Sequence, residues 1–192
     1  DIQRVSLGGP IFDQEKLSWL NGMWLREDIS DAEFMQRMQT WAVNSDYLAP
    51  VVPLIKPRVE KFSDVISLAG FFLSGMPDIS ANDLANPKVD NDLLRKTLQF
   101  TLWHLEALPS WNKDDIFAIC KSMAQSMEIK PKDLFALLFV AITGNANSVS
   151  VFDAMVILGP DLSRARLRHA LQLMGTPSKK EAKRWDKEYR TL

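Results

Sequence analysis

The chain has 192 residues, with 23 Lys+Arg, 24 Asp+Glu, a single cysteine and an apolar fraction of 46%, the make-up of an ordinary globule with room for one large domain or two small ones. Composition excludes wholesale disorder, the lone Cys120 excludes an intramolecular disulfide, and no stretch approaches the roughly 20 apolar residues that span a bilayer. The net charge of −1 is unevenly spread: residues 130–192 hold 11 Lys+Arg against 6 Asp+Glu, and the first 129 hold 12 against 18. A basic end on an acidic body can offer a local phosphate-binding face without binding polyanions indiscriminately; a solvated charged helix would give the same count. The N-terminus, Asp1-Ile2-Gln3-Arg4, has neither an initiator Met nor a leader pattern and reads as a cut inside a longer protein.

Helical periodicity runs through almost the whole chain, so the expected fold class is mostly α, in two consecutive helical bundles. Ser30-Asp31-Ala32-Glu33 is a capping box, behind which Phe34, Met38 and Trp41 form one apolar stripe. Between Tyr47 and Arg58, Pro50, Pro53 and Pro57 remove amide donors and predict a helix start, a kink and a break. Ser63 reads as the N-cap of a helix over 64–73, stopped by Gly75-Met76-Pro77. The polar stretch 78–91 is the expected division of the chain. A helix over 91–108 follows, with Leu94, Leu98, Leu102 and Leu105 inward. Asn112 opens the next, which runs through Ile116, Ile119, Cys120 and Met123. Lys130-Pro131-Lys132-Asp133 begins a very apolar helix over 134–142, buried on most sides. Residues 143–148 are a loop by composition. Residues 151–158 are apolar and end at Gly159-Pro160; Asp161 caps a helix to about Met174, and Thr176-Pro177-Ser178 starts the last one.

His104, His169 and Cys120 lie far apart, without metal-ligand spacing. No phosphate-cradling glycine motif is present, and Asp114-Asp115 is first-turn charge rather than an acid/base pair. Nothing supports a self-contained active site. Trp19, Trp24, Trp41 and Trp103 fall in apolar periodicities and read as core. Trp111 and Trp185, in polar company, are the candidates for stacking on a base.

Two segments carry a family resemblance. Arg4-Val5-Ser6 followed by Phe12-Asp13-Gln14-Glu15-Lys16-Leu17-Ser18-Trp19-Leu20-Asn21-Gly22 resembles the Phe-Asp-x-x-Lys-Leu-x-Trp-Leu-Asn stretch after the KMSKS loop of bacterial-type glutamyl-tRNA synthetases. Val140-Ala141-Ile142-Thr143-Gly144, then Phe152, Leu158-Gly159, Arg166-Leu167 and Ala170-Leu171, resembles the C-terminal signature of the same family. The resemblance implies that residues 1–29 end a stem-contact domain. Residues 30–77 would be a first anticodon-binding bundle, and 78–192 a second with a C-terminal basic helix. The HIGH-type and KMSKS-type motifs would lie upstream of Asp1, and with them the catalytic residues, ATP and magnesium; this piece would hold no cofactor, metal or catalytic residue. Its expected partners are the anticodon stem-loop of a tRNA and the missing catalytic domain, in a cytoplasmic monomer that binds no membrane.

Residue by residue, Lys56-Pro57-Arg58 resembles the segment whose Arg contacts the last anticodon base. A guanidinium is a rigid fork that can bond a base edge and stack on its face, and Pro57 fixes the backbone that aims it. Read without the family, Arg58 would pair with Glu60 or Asp64. Phe139 stands where many relatives have an Arg for the first anticodon base; it is either a stacking platform or a core residue. Ser148, Val149 and Val151 occupy the loop that touches that base in relatives. Arg164, Arg166 and Arg168 cannot share one helix face, so one is structural. Arg164 and Arg168, with Lys16 and with Lys180 and Arg184 among the terminal lysines, are candidate tRNA contacts. The change at Phe139 motivates the alternative, a helical protein-interaction domain that has lost specific anticodon readout.

Overall fold

A computed structural model describes residues 13–145 and 148–192; Arg4, Val5, Ser6 and Phe12 of the first motif, and Ala146 and Asn147 of the 143–148 loop, lie outside the described residues. Among the described residues every regular element is a helix. The chain falls into two compact units, Asp1–Asp46 and Tyr47–Leu192.

In the first unit, α1 (Gln14–Met23) is capped by Asp13, whose carboxylate accepts the Lys16 amide at 3.0 Å. It runs on into a π-helical turn, Trp24–Asp28, before α2 (Asp31–Ala42). Ser30 caps α2 as expected, accepting the Glu33 amide at 3.3 Å. Arg37 bridges to Glu33 at 2.7 Å and lies 4.6 Å over the Trp24 ring. The expected core tryptophans are not core here: Trp19, Trp24 and Trp41 are 59%, 36% and 67% exposed, and Phe34 and Met38 are exposed beside them. The apolar stripe is real, but periodicity states only which face is apolar, and the described residues of this unit supply no second layer to cover it.

The second unit opens with the end of α3 (Ser45–Leu48), then α4 (Val52–Ile55) and a 3-10 turn, Lys56–Arg58. Pro53 and Pro57 stand at first-turn positions, where a missing N–H breaks no intrahelical bond. Next come α5 (Asp64–Ala69) with its 3-10 end Gly70–Phe72, α6 (Ala81–Leu84), α7 (Asn91–Ala107), α8 (Lys113–Ser126), α9 (Pro131–Thr143), α10 (Val151–Leu173) and α11 (Lys179–Tyr189). Ser63 does not cap α5: its backbone is already helical, so its hydroxyl makes no capping bond. Asp64 instead accepts the amides of Glu60 and Lys61, both at 3.0 Å.

One buried cluster joins Leu94, Leu98 and Leu105 of α7, Ile116 and Cys120 of α8, Leu134, Leu138 and Ile142 of α9, and Met155, Leu167 and Ala170 of α10. Val51, Ile55, Ala69 and Phe72 belong to the same cluster, so the 51–72 segment and the large helices share a core. Residues 78–91 also pack on it, through Leu84, Ile79 and Val89. Within α10, Gly159 takes φ 77°, ψ 171°, a backbone open to glycine, and Pro160 restarts the helix. The two helices read from the sequence therefore meet at a break at Gly159-Pro160, as that pair indicates.

The last helix is fixed by aromatics. Trp185, expected as a base-stacking candidate, is 2% exposed and packs with Phe100, Met123 and Met127. Its polar sequence neighbours form the outer face of an amphipathic helix. Arg95 lies 5.2 Å over the indole and donates to Gly175 O at 2.8 Å; Lys96 pairs with Glu188 at 2.6 Å. Ser178 and Glu181 form a reciprocal capping box at the start of α11.

Candidate nucleic-acid interface

Two residues singled out in the sequence, 90 positions apart, meet: the Arg58 guanidinium donates through Nη1 to the Ser148 backbone carbonyl. Arg58 is otherwise exposed, as is Lys56 on the same 3-10 turn. The alternative partner Asp64 is occupied by the amides of Glu60 and Lys61. Held at one nitrogen, the planar fork keeps its remaining N–H groups for an incoming acceptor.

The loop that supplies Ser148 is set by the end of α9. Gly144 adopts φ 73°, ψ 5° as the left-handed C-cap, and its amide bonds Val140 O; a Cβ there would come within 3.2 Å of Pro77. The Thr143 hydroxyl lies 2.9 Å from Phe139 O and 2.8 Å from Asn145 O. Thr143-Gly144, the centre of the second family motif, is thus a helix stop. Ser150 then caps α10. Val149 and Val151 are each 1% exposed and belong to the core. Ser148 is also buried; its carbonyl faces Arg58, and its hydroxyl has no partner among the described residues. Phe139 is half-buried and packs against the same core.

The three alternating arginines of α10 divide by face. Arg166 is fully buried and donates to the carbonyls of Phe71, Ser74, Gly75 and Ile142. Arg164 turns to the end of α7, giving two hydrogen bonds to Leu105 O at 3.1 and 2.6 Å and lying 5.2 Å over the Trp111 ring. A guanidinium is well suited to orphan carbonyls at a helix C-terminus. Trp111, the second stacking candidate, donates to Met155 O at 2.8 Å. Arg168 pairs with Glu106 at 2.6 Å on the surface. On α11, Lys179, Lys180, Lys183, Arg184 and Lys187 are all exposed. Lys16 is exposed on α1. Sequence reasoning allowed for one structural arginine here without identifying it; the i, i+2, i+4 spacing, which throws Arg166 to the face opposite Arg164 and Arg168, was the available signal.

Among the described residues no reactive group stands out. Burial pushes the Cys120 thiol up to about 12 and lowers His104 below the ordinary imidazole value. Among the described residues no cluster of three His, Cys, Asp or Glu side chains could hold a metal, and no helix is long and apolar enough to cross a membrane.

Comparison with known proteins agrees with this architecture. The anticodon binding domain family matches residues 33–171. A glutamate–tRNA ligase of Marinomonas sp. (strain MWYL1) is 60% identical over 100% of this chain and 39% of its own length. That of Marinobacter nauticus is 54% identical with the same coverage, and that of Pseudomonas fluorescens is 52% identical over 97% of this chain and 38% of its own. The chain therefore spans about two-fifths of the length of these relatives. A crystal structure of a glutamate tRNA ligase from Elizabethkingia meningosepticum aligns with a TM-score of 0.58 at 16% identity, over 91% of this chain and 35% of that one, a likeness of fold. With its helical core, its helix-stop and kink glycines and the family match over most of its length, the chain belongs to the anticodon-binding domain family.

Proposed function

We propose that this chain is the anticodon-arm-binding part of a glutamate–tRNA ligase, and that it holds tRNA-Glu while a catalytic part outside the chain charges the acceptor end. The observation that carries the reading is an exposed arginine on a proline-fixed turn, tethered through one nitrogen to the Ser148 carbonyl in a member of this family. Tethering restricts the side chain before the tRNA arrives, so less conformational entropy is lost on binding. Its free N–H groups bond the edge of the last anticodon base, and its face offers stacking. Lys56 beside it, and Lys180 and Arg184 on the outer face of α11, meet phosphates; these contacts position the arm without reading sequence. Arg168, exposed on α10, is proposed as a further phosphate contact, whereas Phe139, Ser148, Val151 and Arg164 contribute through packing and internal hydrogen bonds. Lys16, exposed on α1, is proposed as a separate tRNA contact within the first unit.

The bundles are proposed to run over residues 30–77 and 78–192, after the end of a stem-contact domain at 1–29. The exposed apolar residues of α1 and α2 are proposed to be covered by the remainder of a longer, monomeric cytoplasmic protein. ATP and magnesium would supply activation of the amino acid in that remainder, away from the residues described here. The second reading, a protein-interaction domain without anticodon readout, is motivated by Phe139 and is not favoured by the family match or the relatives. Salt separates the two. If phosphates are neutralised, the affinity for tRNA-Glu falls steeply with salt, and Lys180→Ala with Arg184→Ala reduces the log–log slope by about 2. A flat response, unchanged in the double variant, contradicts RNA binding at α11 and supports the interaction reading.

A further inference from the structure

We propose that Arg166, seconded by Tyr47, is a positioning residue for anticodon reading, which fixes the Arg58 turn and the Ser148 loop at one separation; the inference rests on the reading of Arg58 as the base contact. Arg166 is fully buried, and all four of its acceptors among the described residues are backbone carbonyls. Nη1 donates to Ile142 O at 2.5 Å; Nη2 donates to Phe71 O and Ser74 O, both at 2.7 Å; Nε donates to Gly75 O at 2.9 Å. Tyr47 Oη adds a bond to Phe72 O at 2.7 Å. A buried cation bonded to neutral acceptors carries a desolvation cost that an apolar side chain of the same volume would avoid. What the guanidinium contributes in exchange is fixed geometry, because its donors lie in one plane at set angles. Ile142 and Phe71 offer carbonyls at helix ends, where unpaired lone pairs favour a cation, and Ser74 and Gly75 offer those of the turn that follows.

The two sides joined by this fork lead to the two partners of the candidate reading contact. Ile142 lies in the last turn of α9, whose stop at Gly144 begins the loop that delivers Ser148. Phe71 and Phe72 close the segment that shares a core with Val51 and Ile55, immediately before the Lys56–Arg58 turn. Both Tyr47 and Arg166 hold the 71–75 turn, one from each side in sequence. Without the fork, the loop and the turn would be joined by apolar contacts and by the Arg58–Ser148 bond itself, which hangs on a long, flexible side chain and does not fix orientation.

The test is carried out in the full-length protein, with tRNA-Glu and the same tRNA altered at its last anticodon base. Arg166→Lys keeps the charge and loses the fork. The ratio of the two affinities falls by roughly tenfold, while affinity for the altered tRNA and its salt slope stay at the wild-type value. In an Arg58→Ala background, Arg166→Lys lowers the ratio no further. Tyr47→Phe moves the ratio in the same direction by less, and serves as the test if circular dichroism finds Arg166→Lys unfolded. A wild-type ratio in folded Arg166→Lys, or in Tyr47→Phe where it stands in, overturns the positioning role while leaving Arg58 as the reader. A wild-type ratio in Arg58→Ala removes the reading itself, and the positioning role with it.

Discussion

The aromatic residues of α2 and of α11 obey the same helical spacing and end in opposite environments. Trp41, with Phe34 and Met38 on its face, is 67% exposed, whereas Trp185, set among lysines and acids, is 2% exposed. The difference lies in what stands opposite each helix. Trp185 meets Phe100 of α7 and Met123 of α8, with Arg95 over its ring and Tyr189 one turn on. An apolar face is a local property; burial belongs to the whole unit.

Truncation should separate the two tryptophans most strongly. Trp185→Ala is expected to destabilise the chain by about 3–5 kcal/mol, the range for emptying a buried aromatic site. Trp41→Ala should cost less than about 0.5 kcal/mol, as for an exposed site away from special contacts. Urea unfolding followed by circular dichroism measures both, and equal costs would mean that the first unit buries its stripe in the chain as it stands. A smaller effect probes how α11 is held. Ser178→Ala removes the N-cap and is expected to cost about 0.5–2 kcal/mol at neutral pH. The hydrogen bonds from Ser178 keep the Glu181 carboxyl below its ordinary value. A depressed carboxylate contributes stability above its unfolded value, near 4.3, and that contribution is lost as the pH falls through its lowered folded value. The deficit of Ser178→Ala should therefore shrink in acid below about pH 4, and a deficit constant across that window would show that Glu181 takes no part.

Local features were legible because they rest on neighbours in sequence. The caps at Ser30, Asn112 and Ser178 formed as their spacing indicates, and the proline pattern of 50–58 gave the broken helix that it predicts. The stop at Gly144 and the bend at Gly159 follow from backbone conformations that glycine alone adopts readily. Features joining distant segments were not legible. Arg166 finds three of its carbonyls more than 90 positions upstream; its spacing puts it on the face opposite Arg164 and Arg168, but which face is buried is set by those distant segments. Ser63 failed as a cap because its backbone is already helical, so its hydroxyl does not reach the first free amides of α5. At the candidate site, the pairing of Arg58 with Ser148 was anticipated only in that both residues were singled out; their hydrogen bond needed the fold.

The most direct test of the account is equilibrium binding of the chain to tRNA-Glu, tRNA-Gln and an unrelated tRNA, with Arg58→Ala in parallel. The account predicts that the wild type prefers tRNA-Glu and that Arg58→Ala loses this preference, at a cost of about 1–3 kcal/mol typical of a base-reading contact. Equal, weak binding of all three tRNAs, unchanged by Arg58→Ala, would contradict it and leave these helices as a scaffold that reads no anticodon.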